Sequence, residues 1–125
     1  MKTLIVILGP TGIGKTETSI NIAELFSIPI INAESRQIFS EIPVGTAAPT
    51  LAEQQRVRHY FVGNHHINEY YSAAMYEQDA LELIGQLFIY SDIALLSGGS
   101  LKYIEAVCNG IDDIPTVTDK IRLQM

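Results

Sequence analysis

Residues 4–8, Leu-Ile-Val-Ile-Leu, run without a polar break into Gly9-Pro10-Thr11-Gly12-Ile13-Gly14-Lys15-Thr16. So short an apolar run, with no polar alternation, fits a strand covered on both faces, as in a parallel sheet between layers of helices. The glycine, lysine and threonine spacing that follows adds a second constraint. Placed between a strand and a helix, it lets the backbone amides of residues 12–16 point at phosphate oxygens, aided by the positive end of the helix dipole. Lys15 supplies a cation, and the Thr16 hydroxyl is a ligand for Mg²⁺. Gly9, Pro10, Thr11, Gly12, Ile13, Gly14, Lys15 and Thr16 are therefore the expected diphosphate- or nucleotide-binding residues, with Thr16 the metal ligand. The alternative is a glycine-rich turn that holds nothing; the agreement of context and of all four motif positions weighs against it.

The rest of the chain keeps the same rhythm. Thr16–Phe26 reads as a helix, Ile28–Ile31 as a strand, and Thr50 as the cap of a short helix with Glu53 bonding back three residues on. His59–Val62 reads as a third strand. Ser72 caps a longer helix on which Tyr76, Ala80, Leu83, Ile84 and Leu87 share one face. Ile93–Leu96 is a fourth strand, a helix is expected from about Leu101 to Cys108, and Gly110 is placed to end it in the left-handed conformation. Thr118 reads as another helix cap, with the sequence stopping seven residues later. Strands alternating with helices imply an α/β, three-layer P-loop fold with a mostly parallel sheet. With 125 residues, 47% of them hydrophobic, one domain with a real core is expected, incomplete because the chain is truncated.

Composition narrows the function classes. The balance of 8 basic against 14 acidic residues gives a net charge of −6, which repels polyanions at long range and confines any nucleic-acid contact to a local surface. The apolar run near the start is too short for a signal peptide or a membrane span. The single cysteine, Cys108, falls in the apolar pattern of a buried helix face and suits a reducing cytoplasm. His59, His65 and His66 lack the partners of a zinc site and read as strand-end and loop residues. The Tyr60-Phe61 and Tyr70-Tyr71 pairs read as packing under the sheet edge before they read as base-stacking platforms. Asp112-Asp113 reads as a solvated loop beside Pro115.

An ordinary nucleoside triphosphatase of this type also needs a carboxylate at the end of a neighbouring strand. Ile93–Leu96 is followed instead by Ser97-Gly98-Gly99-Ser100, and the nearest acid at a strand end is Glu34. That shifts the expectation from hydrolysis towards group transfer. Asn32-Ala33-Glu34-Ser35-Arg36-Gln37 leaves a buried strand at the carboxyl edge of the sheet, where open α/β folds place their ligands. A carboxylate there can accept a proton and an arginine beside it can hold a phosphate; a solvated turn with a local Glu-Arg pair fits the spacing equally.

Together GPTGIGKT, INAESRQIF, VGTAAPT, YSAAMYEQDA and LSGGSLKYIEAVCNGID, in this order, closely resemble the amino-terminal part of the tRNA dimethylallyltransferases, also called tRNA isopentenyltransferases. The resemblance covers nearly all of this chain but well under half of a full-length member. It implies Mg²⁺-dependent transfer of a dimethylallyl group from dimethylallyl diphosphate to the exocyclic N6 amine of the adenosine 3′ of the anticodon, in the cytoplasm, by an enzyme expected to be monomeric at full length. The cradle then grips the diphosphate leaving group, and ATP need not be a substrate. By the same resemblance Glu34 is the general base and partner of the amine, while Ser100 lies near the reacting centre. Glu34, Ser35, Arg36, Gln37, Ser100 and Arg122 are the tRNA-contacting residues. The family carries Asp where this chain has Glu34 and Thr where it has Ser100. An added methylene at the base displaces its carboxylate, so reduced activity or a compensating backbone shift is expected and Glu34→Asp is expected to raise activity.

The helical region with which the family grips the anticodon arm lies beyond these residues, so weak tRNA binding and exposed apolar surface are expected of this chain alone. A relative that prenylates free adenine nucleotides, a small-molecule kinase and an inactive diphosphate-binding fragment are the competing readings.

Overall fold

The computed structural model describes residues 2–9, 14–34, 50–62, 71–112 and 117–124. Strands β1 (Lys2–Leu8), β2 (Ile30–Asn32), β3 (His59–Tyr60), β4 (Ile93–Gly98) and β5 (Val117–Gln124) alternate with helices α1 (Lys15–Phe26), α2 (Leu51–Arg56), α3 (Ala73–Leu87) and α4 (Leu101–Asp112). The strands form one sheet in the order β3-β2-β4-β1-β5, and every neighbouring pair is parallel.

Alternation along each strand builds two cores. Leu4, Val6, Ile31, Ala94 and Leu96 pack with Tyr76, Ala80 and Ile84 of α3 and with Tyr103, Ile104, Val107, Cys108 and Ile111 of α4. Ile5, Ile7, Ile30 and Leu95 pack on the other face with Ile20 and Ala23 of α1 and with Val57. This is why β1 and β4 read as unbroken apolar runs: helices cover both of their faces. The result is the three-layer α/β arrangement expected from the sequence.

Local chemistry sets the helix ends. The Thr50 hydroxyl accepts from the Glu53 amide at 3.1 Å while the Glu53 carboxylate accepts from the Thr50 amide at 2.9 Å, the expected capping box. The Ser72 hydroxyl accepts from the Met75 amide at 3.2 Å. α1 ends at Ser27, left-handed at φ 55°, with the Ile28 amide on the Ala23 carbonyl at 2.9 Å and the Ser27 amide on that of Glu24 at 3.3 Å. That is a Schellman closure, achieved without glycine.

Three expectations are corrected. Gly110 does not end α4, which continues to Asp112. A Cβ on Gly110 would lie 2.6 Å from Leu81 Cδ1 and 3.0 Å from a Glu77 carboxylate oxygen, so its missing side chain lets α4 approach α3. Thr118 caps no helix; it lies in β5, which runs beside β1 over its length. Asp112 is the last residue of α4 and not part of a loop, and its carboxylate pairs with Lys120 at 2.5 Å.

Cys108 is buried, as its pattern implied. Ile121 and Leu123 stand in register with Ile5 and Ile7, yet stay 44% and 40% exposed. Among the described residues, β5 therefore keeps apolar surface open on the α1 side of the sheet.

Candidate functional site

Three strand ends meet at the carboxyl edge of the sheet. Leu8 stands opposite Gly98 and Asn32 opposite Ser97. The Gly9 amide donates to the Gly98 carbonyl at 3.3 Å, the Ala33 amide to the Ser97 carbonyl at 2.8 Å, and the Ser100 amide to the Ala33 carbonyl at 3.1 Å. These bonds hold Gly9, the Gly98-Gly99-Ser100 turn and Ala33-Glu34 side by side.

The two glycines are required by contact. A Cβ on Gly98 would lie 2.3 Å from the Ala33 carbonyl oxygen, and one on Gly99 would lie 2.9 Å from the Gly9 carbonyl oxygen and 3.2 Å from Glu34 Oε1. The Glu34 carboxylate thus rests over Gly99 and faces the start of α1.

Gly14 opens α1 at φ 82° with no side-chain cap, a conformation glycine adopts at little cost. The first turn therefore keeps amides with no capping side chain, as an anion-binding helix start requires. Lys15, the first helical residue, is only 5% exposed. Its ammonium donates to the Gly9 carbonyl at 3.0 Å and forms an ion pair with the Glu34 carboxylate. Among the described residues, the half-buried Thr16 hydroxyl and the Ser100 hydroxyl have no hydrogen-bond partner.

Of the expected site residues, the structure brings Gly9, Gly14, Lys15, Thr16, Glu34 and Ser100 to one edge of the sheet. Arg122 lies elsewhere, on β5, with its guanidinium 3.3 Å from the Glu105 carboxylate of α4. Pro10, Thr11, Gly12, Ile13, Ser35, Arg36 and Gln37 lie outside the described residues, as do the loop 45–49, His65, His66, Tyr70 and Asp113.

An aromatic block braces the end of β2. The Tyr76 hydroxyl donates to the Asn32 carbonyl at 2.7 Å, and burial pushes its phenol well above the ordinary range, so it stays a donor. The Asn32 amide donates to the Phe61 carbonyl at 3.2 Å. The Phe61 ring packs on Tyr76 at 5.3 Å, Tyr76 stacks on Tyr103 at 4.3 Å, and Tyr71 meets the edge of Tyr103 at 6.5 Å. Phe61 and Tyr71 are thus packing residues, as read from the sequence, and the Tyr60 ring carries the Arg58 guanidinium at 4.5 Å. His59 bonds the Val57 carbonyl at 2.9 Å. Among the described residues no group of three or more His, Cys, Asp or Glu is placed to hold a metal ion, and no helix is long and apolar enough to cross a membrane.

Sequence reasoning missed two features. The Lys15–Glu34 pair joins residues that the sequence reading had assigned to separate tasks. The hydroxyls of Ser19 and Ser97 meet at 2.6 Å inside the core; a serine four residues after the cradle lysine, on the face that carries Ile20 and Ala23, was the available signal.

The model of the family described as IPP transferase matches residues 37–125, well over half of the chain. The chain belongs to the IPP transferase family. It is 53% identical to tRNA dimethylallyltransferase 1 of Bacteroides thetaiotaomicron over 125 residues, covering 100% of this chain and 41% of that protein. With the Porphyromonas gingivalis (strain ATCC 33277) tRNA dimethylallyltransferase 2 it shares 54% identity over 123 residues, 98% of this chain and 41% of the relative. The chain therefore spans about two-fifths of the length of these relatives. Its fold superposes on the tRNA isopentenylpyrophosphate transferase of Bacillus halodurans with a TM-score of 0.82 at 30% identity, covering 88% of this chain and 36% of that one. It also superposes on a eukaryotic dimethylallyltransferase acting on tRNA, with a TM-score of 0.78 at 29% identity over 85% of this chain and 26% of that one.

Proposed function

We propose that this chain is the diphosphate-binding, amino-terminal part of an enzyme that transfers a dimethylallyl group from dimethylallyl diphosphate to the N6 amine of an adenosine in tRNA, next to the anticodon. The observation that carries this reading is the meeting of a cradle lysine and a strand-end carboxylate, Lys15 and Glu34. An ordinary nucleoside triphosphatase of this fold needs a carboxylate at the end of a strand beside the cradle strand, and β4 ends there in Ser97-Gly98-Gly99-Ser100.

In the resting site each member of the pair neutralises the other. When a diphosphate enters, the Lys15 ammonium turns to its oxygens and the amides of the first α1 turn stabilise the negative charge that grows as the allylic C–O bond breaks. The amine nitrogen takes the allyl carbon and loses a proton to the released Glu34 carboxylate, leaving pyrophosphate in the cradle. The Ser100 hydroxyl, without a partner among the described residues, can bond the amine or the leaving oxygen.

Mg²⁺ fits the donor set in a limited way. The Thr16 hydroxyl, unpartnered among the described residues, offers one hard oxygen, as suits a cation that takes its other ligands from phosphate and water. Bound there, the ion supplies charge neutralisation on the diphosphate. Ser35, Arg36, Gln37 and Arg122 remain the proposed tRNA contacts, and the cytoplasm the proposed location.

Thermal melts of this chain with Mg²⁺ test the reading. Dimethylallyl diphosphate is expected to raise the midpoint more than ATP at equal concentration. A ligand at a hundred times its dissociation constant adds about 2.7 kcal/mol, or several degrees. A larger shift with ATP would return the chain to the kinases.

A further inference from the structure

Beneath the cradle lies a buried hydroxyl pair that the mechanism does not use. Ser19 and Ser97 are 2% and 6% exposed. Their oxygens lie 2.6 Å apart, and Ser19 Oγ lies 2.7 Å from the Lys15 carbonyl oxygen. Each hydroxyl has one proton and a carbonyl has none. Ser19 must therefore spend its proton on Lys15, and the proton between the two serines belongs to Ser97. The chain of donors runs one way, from Ser97 through Ser19 to the Lys15 carbonyl, and each bond polarises the next.

Ser97 also accepts the Ala33 amide through its backbone carbonyl at 2.8 Å, one residue before Glu34. A single β4 residue thus grips the first turn of α1 with its side chain and the end of β2 with its backbone. The surroundings on this face are Ile7, Ile20, Ala23 and Leu95, where two alanines would pack without leaving a polar group unpaired.

We propose that Ser19 and Ser97 are a positioning pair that sets Lys15 against Glu34, and through it the affinity of the cradle for diphosphate. The second half rests on the diphosphate reading above; the first does not.

The test compares wild type, Ser19→Ala, Ser97→Ala, Ser97→Thr and the double alanine variant of the full chain. Two readouts are taken: thermal melting, and titration with inorganic pyrophosphate and Mg²⁺. Ser19→Ala strands the Ser97 hydroxyl and is expected to melt lowest. The double variant strands nothing and is expected to melt above Ser19→Ala, below wild type only by what it loses of the Lys15–Glu34 pair, and to bind pyrophosphate about tenfold more weakly, the worth of one hydrogen bond. Ser97→Thr keeps the hydroxyl and is expected to bind like wild type. If affinity recovers with stability in the double variant, the pair serves packing alone and the proposal is overturned.

A ligand-free readout separates this outcome from failure of the diphosphate reading. Adding Glu34→Gln is expected to lower the melting midpoint in wild type but much less in the double alanine background, where Lys15 is no longer aimed. That pattern without pyrophosphate binding by wild type would sink the diphosphate reading and leave the positioning role standing. An equal loss in both backgrounds would overturn the positioning role.

Discussion

Glu34→Gln should weaken the empty protein and tighten its grip on pyrophosphate. The side chains of Lys15 and Glu34 are only 6% and 16% exposed, so removing the carboxylate leaves an ammonium facing little water. Removing one partner of a buried ion pair costs about 3–5 kcal/mol; the residual exposure of Glu34 argues for the lower end. The unfolding entropy of a chain of 125 residues is about 0.26 kcal/mol/K, so a loss of about 3 kcal/mol lowers the midpoint by roughly 10 °C. Pyrophosphate then supplies the missing negative charge with no internal carboxylate to displace. Its affinity should rise by up to about a hundredfold, the same energy read in reverse. Differential scanning fluorimetry gives the first number and isothermal titration with Mg²⁺ the second. A variant that melts and binds like wild type would refute the view that Glu34 occupies the cradle lysine.

Three further outcomes are expected. Gly98→Ala places a carbon 2.3 Å from the Ala33 carbonyl oxygen, and because that neighbour is backbone the cost should reach about 3 kcal/mol, seen as a much lower or absent cooperative melt. Tyr76→Phe removes the hydroxyl that donates to the Asn32 carbonyl at 2.7 Å; a loss of about 1 kcal/mol in urea denaturation is expected, with the aromatic stack intact. His59 is held below its ordinary value of 6.5, chiefly by burial, against the pull of the Val57 carbonyl and Glu53. The folded chain therefore takes up this proton less readily than the unfolded chain. Stability should fall as pH drops below about 6.5 towards the folded value, and His59→Gln should remove that part of the slope in denaturations at pH 7 and pH 5.

The apolar runs and cap residues made most of the architecture legible. Thr50 with Glu53, and Ser72 before an apolar helical face, announced helix starts that the structure reproduces, because capping is a matter of a few consecutive residues. Gly110 and Thr118 misled for the opposite reason. The demand on Gly110 comes from Leu81 and Glu77 on another helix, and the strand character of residues 117–124 comes from β1, more than a hundred residues earlier. At the site, the cradle motif announced Lys15 and Thr16, and Glu34 was visible as the acid after a buried strand. Their contact was not visible, since it depends on how β1, β2 and β4 end at one level. The serine pair was only half visible: Ser19 on the apolar face of α1 was a signal, but its partner Ser97 comes from β4, 78 residues away.

The sheet order also dictates when this protein can fold on the ribosome. β1 is made well before its partners in the sheet, β4 and β5. Thr3 waits for Ile93, and Lys2 for Val117. At about 5–20 residues per second, translation takes roughly 5–20 s to deliver the first of those partners. Until then the run Leu-Ile-Val-Ile-Leu is an unpaired β segment, and the cradle that hangs from it has no frame. That segment is thus left exposed to chaperones and to wrong pairings while the chain grows, and the cradle is assembled only once β4 has emerged.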